Sequence, residues 1–435
     1  MNENRLTRND IEENSHLTVH HARLSHVRYR PDIDGLRAVA VLAVVNFHAF
    51  PDLMKGGFIG VDIFFVVSGY LISTIIFESV DNGTFSFSRF YARRIKRTFP
   101  ALILVFIACF TFGWFVLPAD GLKQLGEHIA SGSIFIDNLV LCGEPGYFDS
   151  AARLKPLLHL WSLGIVAQFY VFWPVFLRLS RNCNINFIIF ILAITLISFS
   201  DNIHEENKDI VLDFYSSQTR FWELTTGGIV AWMMLYRPDI SAIPNNIFIA
   251  LRRSILGGRF EVHASPFSSI VSIFGFSLII YGLWRIGGDA GFPGKWVLIP
   301  VLAAALLIFS GPGAMVNRSI LSNKIAVWFG LISFPLYLWH WPLLSFARIV
   351  QGEEPNLKIR IAVVLISIAL AWCTYRFVER PIRFGNHGKA TTVVLVALMA
   401  VVGYAGYNAY QRDGQKIGHR SSSSSTIQAL VFTRK

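Results

Sequence analysis

The feature that most constrains this fold is a series of apolar runs, each roughly 15 to 23 residues long, separated by charged or Gly/Pro-rich segments. Runs of that length match a bilayer whose hydrocarbon core is about 30 Å thick. A backbone inside lipid must satisfy its own hydrogen bonds, so this many long runs predict membrane-spanning helices. A transmembrane β-barrel would show shorter segments with two-residue alternation, and the sequence has no such pattern.

The predicted fold class is therefore all-α: a polytopic membrane helical bundle of about ten or eleven transmembrane helices. Composition agrees, because only 15% of the 435 residues are charged and 53% are hydrophobic. Soluble domains carry about 25% charged residues. The predicted spans lie near 36–50, 58–80, 98–117, 157–179, 185–200, 221–236, 269–284, 296–311, 325–349, 359–378 and 391–410.

The distribution of Lys and Arg between the loops predicts the orientation, because cytosolic loops are enriched in both residues. With the N-terminus cytosolic, the inside segments hold about 21 Lys and Arg and the outside loops about 8. The net charge of +11 is then mostly cytosolic loop charge, which is suited to anionic lipid. We therefore expect membrane lipid as a partner and no nucleic acid.

The ends of the chain differ in composition from its centre. Residues 1–34 are polar and are predicted to form a cytosolic tail without a signal peptide. Residues 35–385 form the main membrane domain, residues 386–410 an extra C-terminal transmembrane helix, and residues 411–435 a flexible Ser-rich tail. Four scattered cysteines, without a CxxC pair, predict neither a disulfide framework nor a metal site.

Arg37 and His48 lie in the apolar stretch "GLRAVAVLAVVNFHAF" (35–50), where an ionisable residue marks a candidate functional site. Eleven residues make three helical turns plus about 20°, so both side chains share one face, roughly 16 Å apart along the axis. A guanidinium near the cytosolic surface suits a phosphate-bearing ligand, and an imidazole deeper in the membrane suits proton transfer. The alternatives are a membrane-anchoring arginine and a structural buried histidine.

Further polar residues fall within the other predicted spans. Asp62 stands at a helix start, where it either caps the helix or orients a histidine. Arg220 and Glu223 have the spacing of an intrahelical ion pair, which is also a structural contact. His340 lies between two prolines, Pro335 and Pro342, whose kinks free backbone groups to line a cavity.

Two more groups complete the candidate set. His159 lies at the outer end of the predicted span 157–179, which begins "LLHLWSLG". Arg376, Glu379 and Arg380 are predicted to share a helical face at the inner end of a span, with a positive-inside stop signal as the alternative.

Seven blocks of this chain, in order, resemble the acyltransferase-3 family of membrane O-acyltransferases. They are "YRPDIDGLRAVAVLAVVNFH", "GFIGVDIFFVVSGYLI", "FYARRIKRTFPAL", "LLHLWSLG" with "QFY", "TRFWEL", "SFPLYLWHWP" and "YRFVERPIR", within Tyr29 to Tyr410. The resemblance implies transfer of an acyl group, usually acetyl from cytosolic acetyl-CoA, to a sugar hydroxyl across the bacterial inner membrane. Implied acceptors are lipopolysaccharide O-antigen, peptidoglycan and exported glycans.

The resemblance and the residue chemistry together assign roles. Arg37, with Arg93, Arg94 and either Arg376 or Arg380, is expected to hold the CoA phosphates. His48 is expected to act as general base or as transient acyl carrier, with Asp62 orienting or charge-balancing a catalytic group. The side chains expected to line the substrate path are Ser68, His159, Arg220, Glu223, Tyr337 and His340.

Two departures from the family pattern bear on activity. Family members usually read "WSLGVEEQFY", whereas this chain has Val166 and Ala167 in place of the two glutamates. Many relatives also continue into an outer SGNH hydrolase-like domain, which we expect this chain to lack. A separate periplasmic SGNH-type protein is then a candidate partner. Two alternatives stay open: a catalytically impaired or regulatory membrane protein of the same fold, and a glycan or lipid transporter.

Overall fold

A computed structural model describes residues 29–144, 146–182, 186–206, 208–237, 266–287, 292–385 and 388–412. The predicted tails, apart from residues 29–34 and 411–412, and most of the predicted cytosolic loop 237–268 lie outside these residues. Within the described ranges the secondary structure is helical, with no β-strand. The predicted all-α polytopic bundle is confirmed.

Sixteen α-helices make up the described part of the chain, and we number them in order. They are α1 Pro31–Ala49, α2 Gly60–Asp81, α3 Phe87–Val116, α4 Ala119–Ser133, α5 Asp137–Leu141, α6 Leu160–Asn182, α7 Phe187–Glu205, α8 Ile210–Tyr215, α9 Ser217–Tyr236, α10 Pro266–Arg285, α11 Leu298–Ser310, α12 Lys324–Leu331, α13 Ser333–Gln351, α14 Leu357–Cys373, α15 Arg380–Phe384 and α16 Lys389–Gln411.

Each of the eleven predicted spans coincides with a helix or a helix pair. Seven helices in the described residues are long and apolar enough to cross a membrane, and α12 with α13 forms a further span bent by 65°. The other three predicted spans correspond to α1, α9 and α11. Helices α1 and α9 carry ionisable residues and α11 is short, so these three are not long and apolar enough to be identified as membrane spans by length and composition alone.

The centre of the bundle is α2, which packs tightly between α1 and α9. A Cβ atom at Gly60 would lie 2.3 Å from the Ala40 carbonyl oxygen, and one at Gly69 would lie 1.8 Å from that of Leu224. Only glycine permits backbones to approach this closely. This packing brings Asp62 into contact with Arg220 at the polar start of α9, and leaves Arg37 and His48 toward opposite ends of α1.

Loops from distant parts of the sequence meet at each end of the bundle. At the His48 end, Gly56 donates a hydrogen bond to the Leu283 carbonyl (3.1 Å), and Arg360 donates to the Ala49 carbonyl (3.1 Å). At the opposite end, Arg30 donates to the Ile308 carbonyl (3.0 Å). The segments predicted to be poor in Lys and Arg therefore share the His48 end.

Candidate functional site

A cavity opens beside Arg37 and extends into the bundle. It encloses about 880 Å³ of space free of protein atoms, including its mouth. Most of its wall is apolar and comes from α2, α6 and α13. The polar and charged side chains of the wall are Arg37, Ser68, Arg94, Arg97, Thr98, Ser162, Tyr170, Ser333 and Tyr337.

Three guanidinium groups, those of Arg37, Arg94 and Arg97, line this cavity, which we call the arginine cavity. Its described wall contains no carboxylate. Arg37 reaches Asp34 with one nitrogen (3.2 Å). Arg94 lies over the Phe90 and Tyr170 rings, 5.8 Å from each centroid, and its buried Nε has no hydrogen-bond partner. A set of arginines with spare donors, facing an apolar space, suits a ligand with an anionic end and an apolar end.

The structure does not place Arg93, Arg376 or Arg380 in the cavity wall; all three are exposed. The expected shared face of Arg376, Glu379 and Arg380 is wrong because residues Thr374–Glu379 form a π-helix, whose i→i+5 hydrogen bonds change the angle between successive side chains. Glu379 consequently points inward and is 2% exposed, while its neighbours face outward.

His48 lies at the other end of α1 in a chain of hydrogen bonds. Its Nδ1 is 2.8 Å from Nε2 of His340, and its Nε2 is 2.5 Å from the Tyr147 hydroxyl. His340 Nδ1 lies 2.8 Å from the Tyr337 carbonyl and 3.2 Å from that of Leu336. The two imidazole rings are nearly parallel, at 9°.

These contacts fix the proton positions when both rings are neutral. His340 Nδ1 faces carbonyl oxygens, so it must carry its proton, which leaves His340 Nε2 as an acceptor. His48 Nδ1 therefore donates, and His48 Nε2 has a free lone pair that accepts the proton of the Tyr147 hydroxyl. His340 Nε2 is occupied by the proton of His48 Nδ1, so the basic nitrogen of the pair that faces away from the other ring is His48 Nε2.

A second pocket of about 410 Å³, including its mouth, contains His48 and lies at the end of the bundle opposite the arginine cavity. The remaining lining residues are Phe47, Pro51, Tyr147, Phe148, Arg153, Trp341 and Arg348. Arg348 also donates to the His48 carbonyl (2.9 Å) and so fixes the end of α1. His48 therefore faces a different pocket from the one lined by Arg37, Arg94 and Arg97.

Tyr337 lies in the wall of the arginine cavity and also contacts His159 and His340, which with His48 form what we call the histidine cluster. Its hydroxyl donates to the His159 carbonyl (2.7 Å) and lies 2.8 Å from Ser162 Oγ. Its ring centroid is 5.6 Å from that of His340 and 5.3 Å from that of His159. His159 itself is 1% exposed and lines neither pocket.

Asp62 pairs with Arg220 and not with a histidine. Arg220 Nη2 contacts Asp62 Oδ1, and Arg220 Nε is 3.0 Å from Glu223 Oε1. All three side chains are at most 1% exposed, and four aromatic rings surround the guanidinium. Because the triad lines neither pocket, its geometry fits a structural ion cluster next to the site.

Ser68 lies in the wall of the arginine cavity, as the sequence predicted, and so does Val166. Ala167 is half-buried and outside that wall. Among the described residues, no group of three His, Cys, Asp or Glu side chains is arranged to bind a metal ion.

Tyr147 could not be predicted from the sequence, because its segment "GEPGYFD" has no periodic pattern and no cluster of charges. A buried ion cluster anchors the start of this loop. Glu144 contacts Lys155 and lies 3.6 Å from His128 Nε2. Burial opposes ionisation of this carboxyl group, yet His128 and Lys155 lower the pKa of Glu144 to about 2. The anchor holds the loop three residues before Tyr147.

The amino-acid sequence of this chain is similar to those of known bacterial proteins. The chain is 31% identical over 381 residues to the "Putative peptidoglycan O-acetyltransferase YrhL" of Bacillus subtilis, covering 85% of this chain and 56% of that protein. It is 30% identical over 365 residues to the "Peptidoglycan O-acetyltransferase OatA" of Listeria monocytogenes, covering 82% and 56%. The chain thus spans little more than half the length of these relatives.

No solved structure matches the chain at a significant level. The sequence profile described as "Acyltransferase domain" matches residues 30–376, which include both pockets and the whole hydrogen-bond chain at His48. This protein therefore belongs to the acyltransferase-3 family.

Proposed function

We propose that this protein transfers an acyl group, in the first instance acetyl, from cytosolic acyl-CoA across a bacterial cytoplasmic membrane to a hydroxyl of a surface glycan. The proposal rests on the two ends of α1. Arg37 lines a basic cavity at one end, and His48 presents a basic nitrogen at the other. A single helix thus connects an anion site with a proton acceptor.

The cavity beside Arg37 has the properties that an acyl-CoA requires. Arg37, Arg94 and Arg97 match the phosphates of the donor, because a guanidinium pairs with two phosphate oxygens at once. The apolar wall beyond them suits the less polar arm that carries the thioester. We place the arm of the donor along Tyr337, since that side chain borders both the cavity and the histidine cluster, and the thioester at the end of this arm beside His48 Nε2.

His48 then acts as general base. Its Nε2 takes the proton of the acceptor hydroxyl while the hydroxyl oxygen bonds to the thioester carbonyl carbon. The carbon–sulfur bond breaks, and CoA leaves as a thiol after taking up a proton. His340 holds the His48 tautomer through the 2.8 Å hydrogen bond, and its own Nδ1 is fixed by backbone carbonyls. In this proposal the base acts directly, without an acyl-histidine intermediate.

The names of the relatives make peptidoglycan the first acceptor to test. Lipopolysaccharide O-antigen is the second, because the family resemblance covers both kinds of glycan. In either case the acceptor approaches the pocket at His48, whose loops belong to the segments predicted to face the cell exterior.

The proposal is tested with purified protein in liposomes, radiolabelled acetyl-CoA on the arginine side and glycan on the other. We expect label in the glycan with the unchanged protein, and a loss of about 100-fold or more in His48→Gln. The matched control is His204→Gln, because His204 is exposed and outside both pockets. Full transfer by His48→Gln would contradict the assignment of the base.

Donor binding is tested separately. Arg94→Ala is expected to raise KM for acetyl-CoA by about tenfold, since a charge-assisted hydrogen bond contributes roughly 1.5–3 kcal/mol. Arg93→Ala is the control on the same helix, because Arg93 is exposed and outside the cavity wall. Equal KM values for the two variants would show that the donor does not bind in the arginine cavity.

A further inference from the structure

We infer that the pocket at His48 takes a glycan that carries a carboxylate close to the hydroxyl that is acylated. The inference rests on the proposed function, because it names the class of acceptor at the same site. Three properties of the pocket support it: its aromatic walls, its charge and a carboxylate of the protein that already lies between its two arginines.

Aromatic rings form much of the pocket wall. Phe47, Tyr147, Phe148 and Trp341 line it, and the Trp341 ring centroid is 4.4 Å from that of His48. The apolar C–H face of a sugar ring packs on such rings, which supply a large apolar area with little loss of side-chain freedom. The rings therefore place a sugar next to the basic nitrogen of His48.

The charged residues of the pocket wall are both cationic. Arg153 and Arg348 line it, and no carboxylate does, whereas the ordinary partner of a neutral sugar would be a neutral hydrogen-bonding side chain. Arg348 is 6% exposed and its buried Nη1 has no hydrogen-bond partner. A guanidinium held in this way favours a planar anion over a neutral group.

Glu354 already shows where a carboxylate fits. Its Oε1 lies 3.1 Å from Arg153 Nη1 and 3.1 Å from Arg348 Nε, and its Oε2 lies 3.2 Å from the latter. The Glu354 side chain is 49% exposed, whereas that of Arg348 is 7% exposed. The arginine is thus the fixed partner, and the glutamate is the group that a ligand carboxylate displaces.

The other charged groups of neighbouring elements leave this balance unchanged. Asp52, Lys55 and Glu353 are exposed and outside the pocket wall, and Arg360 donates to the Ala49 carbonyl. With Glu354 counted, the two arginines leave one net positive charge at the pocket. An acceptor carboxylate that takes the place of Glu354 keeps this charge balance and orients the sugar so that its hydroxyl meets His48 Nε2.

The test compares two acceptors that differ only in charge. One is an oligosaccharide of N-acetylglucosamine and N-acetylmuramic acid with its lactyl carboxylate free; the other is the same oligosaccharide with that carboxylate converted to the methylamide. We expect kcat/KM for the acidic acceptor to exceed that for the amide by about tenfold. Arg153→Gln is expected to remove this preference, and Arg285→Gln, an exposed arginine at the same end of the bundle, is expected to keep it.

A second variant is expected to strengthen the preference for the acidic acceptor, whereas Arg153→Gln removes it. Glu354→Gln removes the competing carboxylate and is expected to lower KM for the acidic acceptor while leaving the amide unchanged. Equal kcat/KM for the two acceptors in the unchanged protein would overturn the inference but leave the proposed function intact. A phosphate-bearing oligosaccharide that outcompetes the carboxylate would also overturn it. Absence of transfer to every acceptor, by contrast, would count against the proposed function itself.

Discussion

At the scale of single residues, the site depends on which nitrogen of each histidine carries a proton. His340 Nδ1 donates to two backbone carbonyls and so carries the proton, His340 Nε2 then accepts from His48 Nδ1, and His48 keeps a lone pair on Nε2. In the part of the chain that the structure describes, the hydrogen-bond partner of that nitrogen is the Tyr147 hydroxyl. In the proposed mechanism, the acceptor hydroxyl therefore takes the place of the Tyr147 hydroxyl before His48 removes its proton.

Tyr147→Phe tests this displacement. The variant lacks the hydroxyl that occupies His48 Nε2, so the acceptor no longer competes with a hydrogen bond of about 1 kcal/mol. We expect a KM for the acceptor about fivefold lower and a kcat within about threefold of the unchanged protein. Steady-state kinetics with varied acceptor measure both. A loss of 100-fold in kcat would instead make Tyr147 a proton relay.

Val166→Glu tests the meaning of the missing glutamates. Val166 lines the arginine cavity, so a carboxylate there would pair with an arginine and compete with an anionic donor. We expect a rise of about tenfold in KM for acetyl-CoA at nearly constant kcat. Ala167→Glu is the control, because Ala167 lies outside the cavity wall. Activity that appears only in Val166→Glu would favour the catalytically impaired alternative.

The sequence predicted some of these residues and not others, for physical reasons. Arg37 and His48 were found because a charge in an apolar helix is costly and their spacing gives one helical face. Tyr147 was not found because a loop residue gains its role from a contact across 99 positions. Asp62 was found, but its partner Arg220 lies 158 residues away, and a carboxylate does not reveal its partner.

At the scale of helices, the apolar runs located the spans but not the breaks in regular geometry. The π-helix Thr374–Glu379 turned Glu379 inward and Arg376 outward, and the sequence carries no signal for that change. The apolar stretch near 128–141 likewise divides into α4 and α5, with Phe135 in the left-handed region at φ 61°. Local backbone choices of this kind depend on the packing around them.

The contact of α4 with α16 gives a prediction for helix packing. A Cβ atom at Gly126 would lie 2.6 Å from the Gly406 carbonyl oxygen, whereas one at Gly121 meets nothing closer than 3.4 Å. Gly126→Ala is therefore expected to destabilise the protein by roughly 1–3 kcal/mol. Gly121→Ala is expected to be neutral or stabilising, because alanine favours a helix. Thermal unfolding in detergent measures the difference; equal midpoints would show that α16 does not pack closely on α4.

At the scale of the whole molecule, the two pockets lie at opposite ends of the bundle, so function depends on orientation. The structure groups the loops by end, and the distribution of Lys and Arg predicts that the N-terminus is cytosolic. In the proposed function, this orientation lets the arginine cavity meet cytosolic acyl-CoA and His48 meet glycan outside. The reverse orientation would place the base on the cytosolic side.

Cysteine labelling tests this orientation directly. Leu53 and Asn82 are both exposed and flank the opposite ends of the span Gly57–Asp81. In a variant whose four native cysteines are replaced, we expect a membrane-impermeant thiol reagent to label Leu53→Cys in intact cells. Asn82→Cys should react only after the membrane is permeabilised, which also confirms that this cysteine is reactive. The opposite pattern would invert the predicted topology and require the acyl donor to bind from outside, where the lower density of Lys and Arg in the loops gives no reason to expect it.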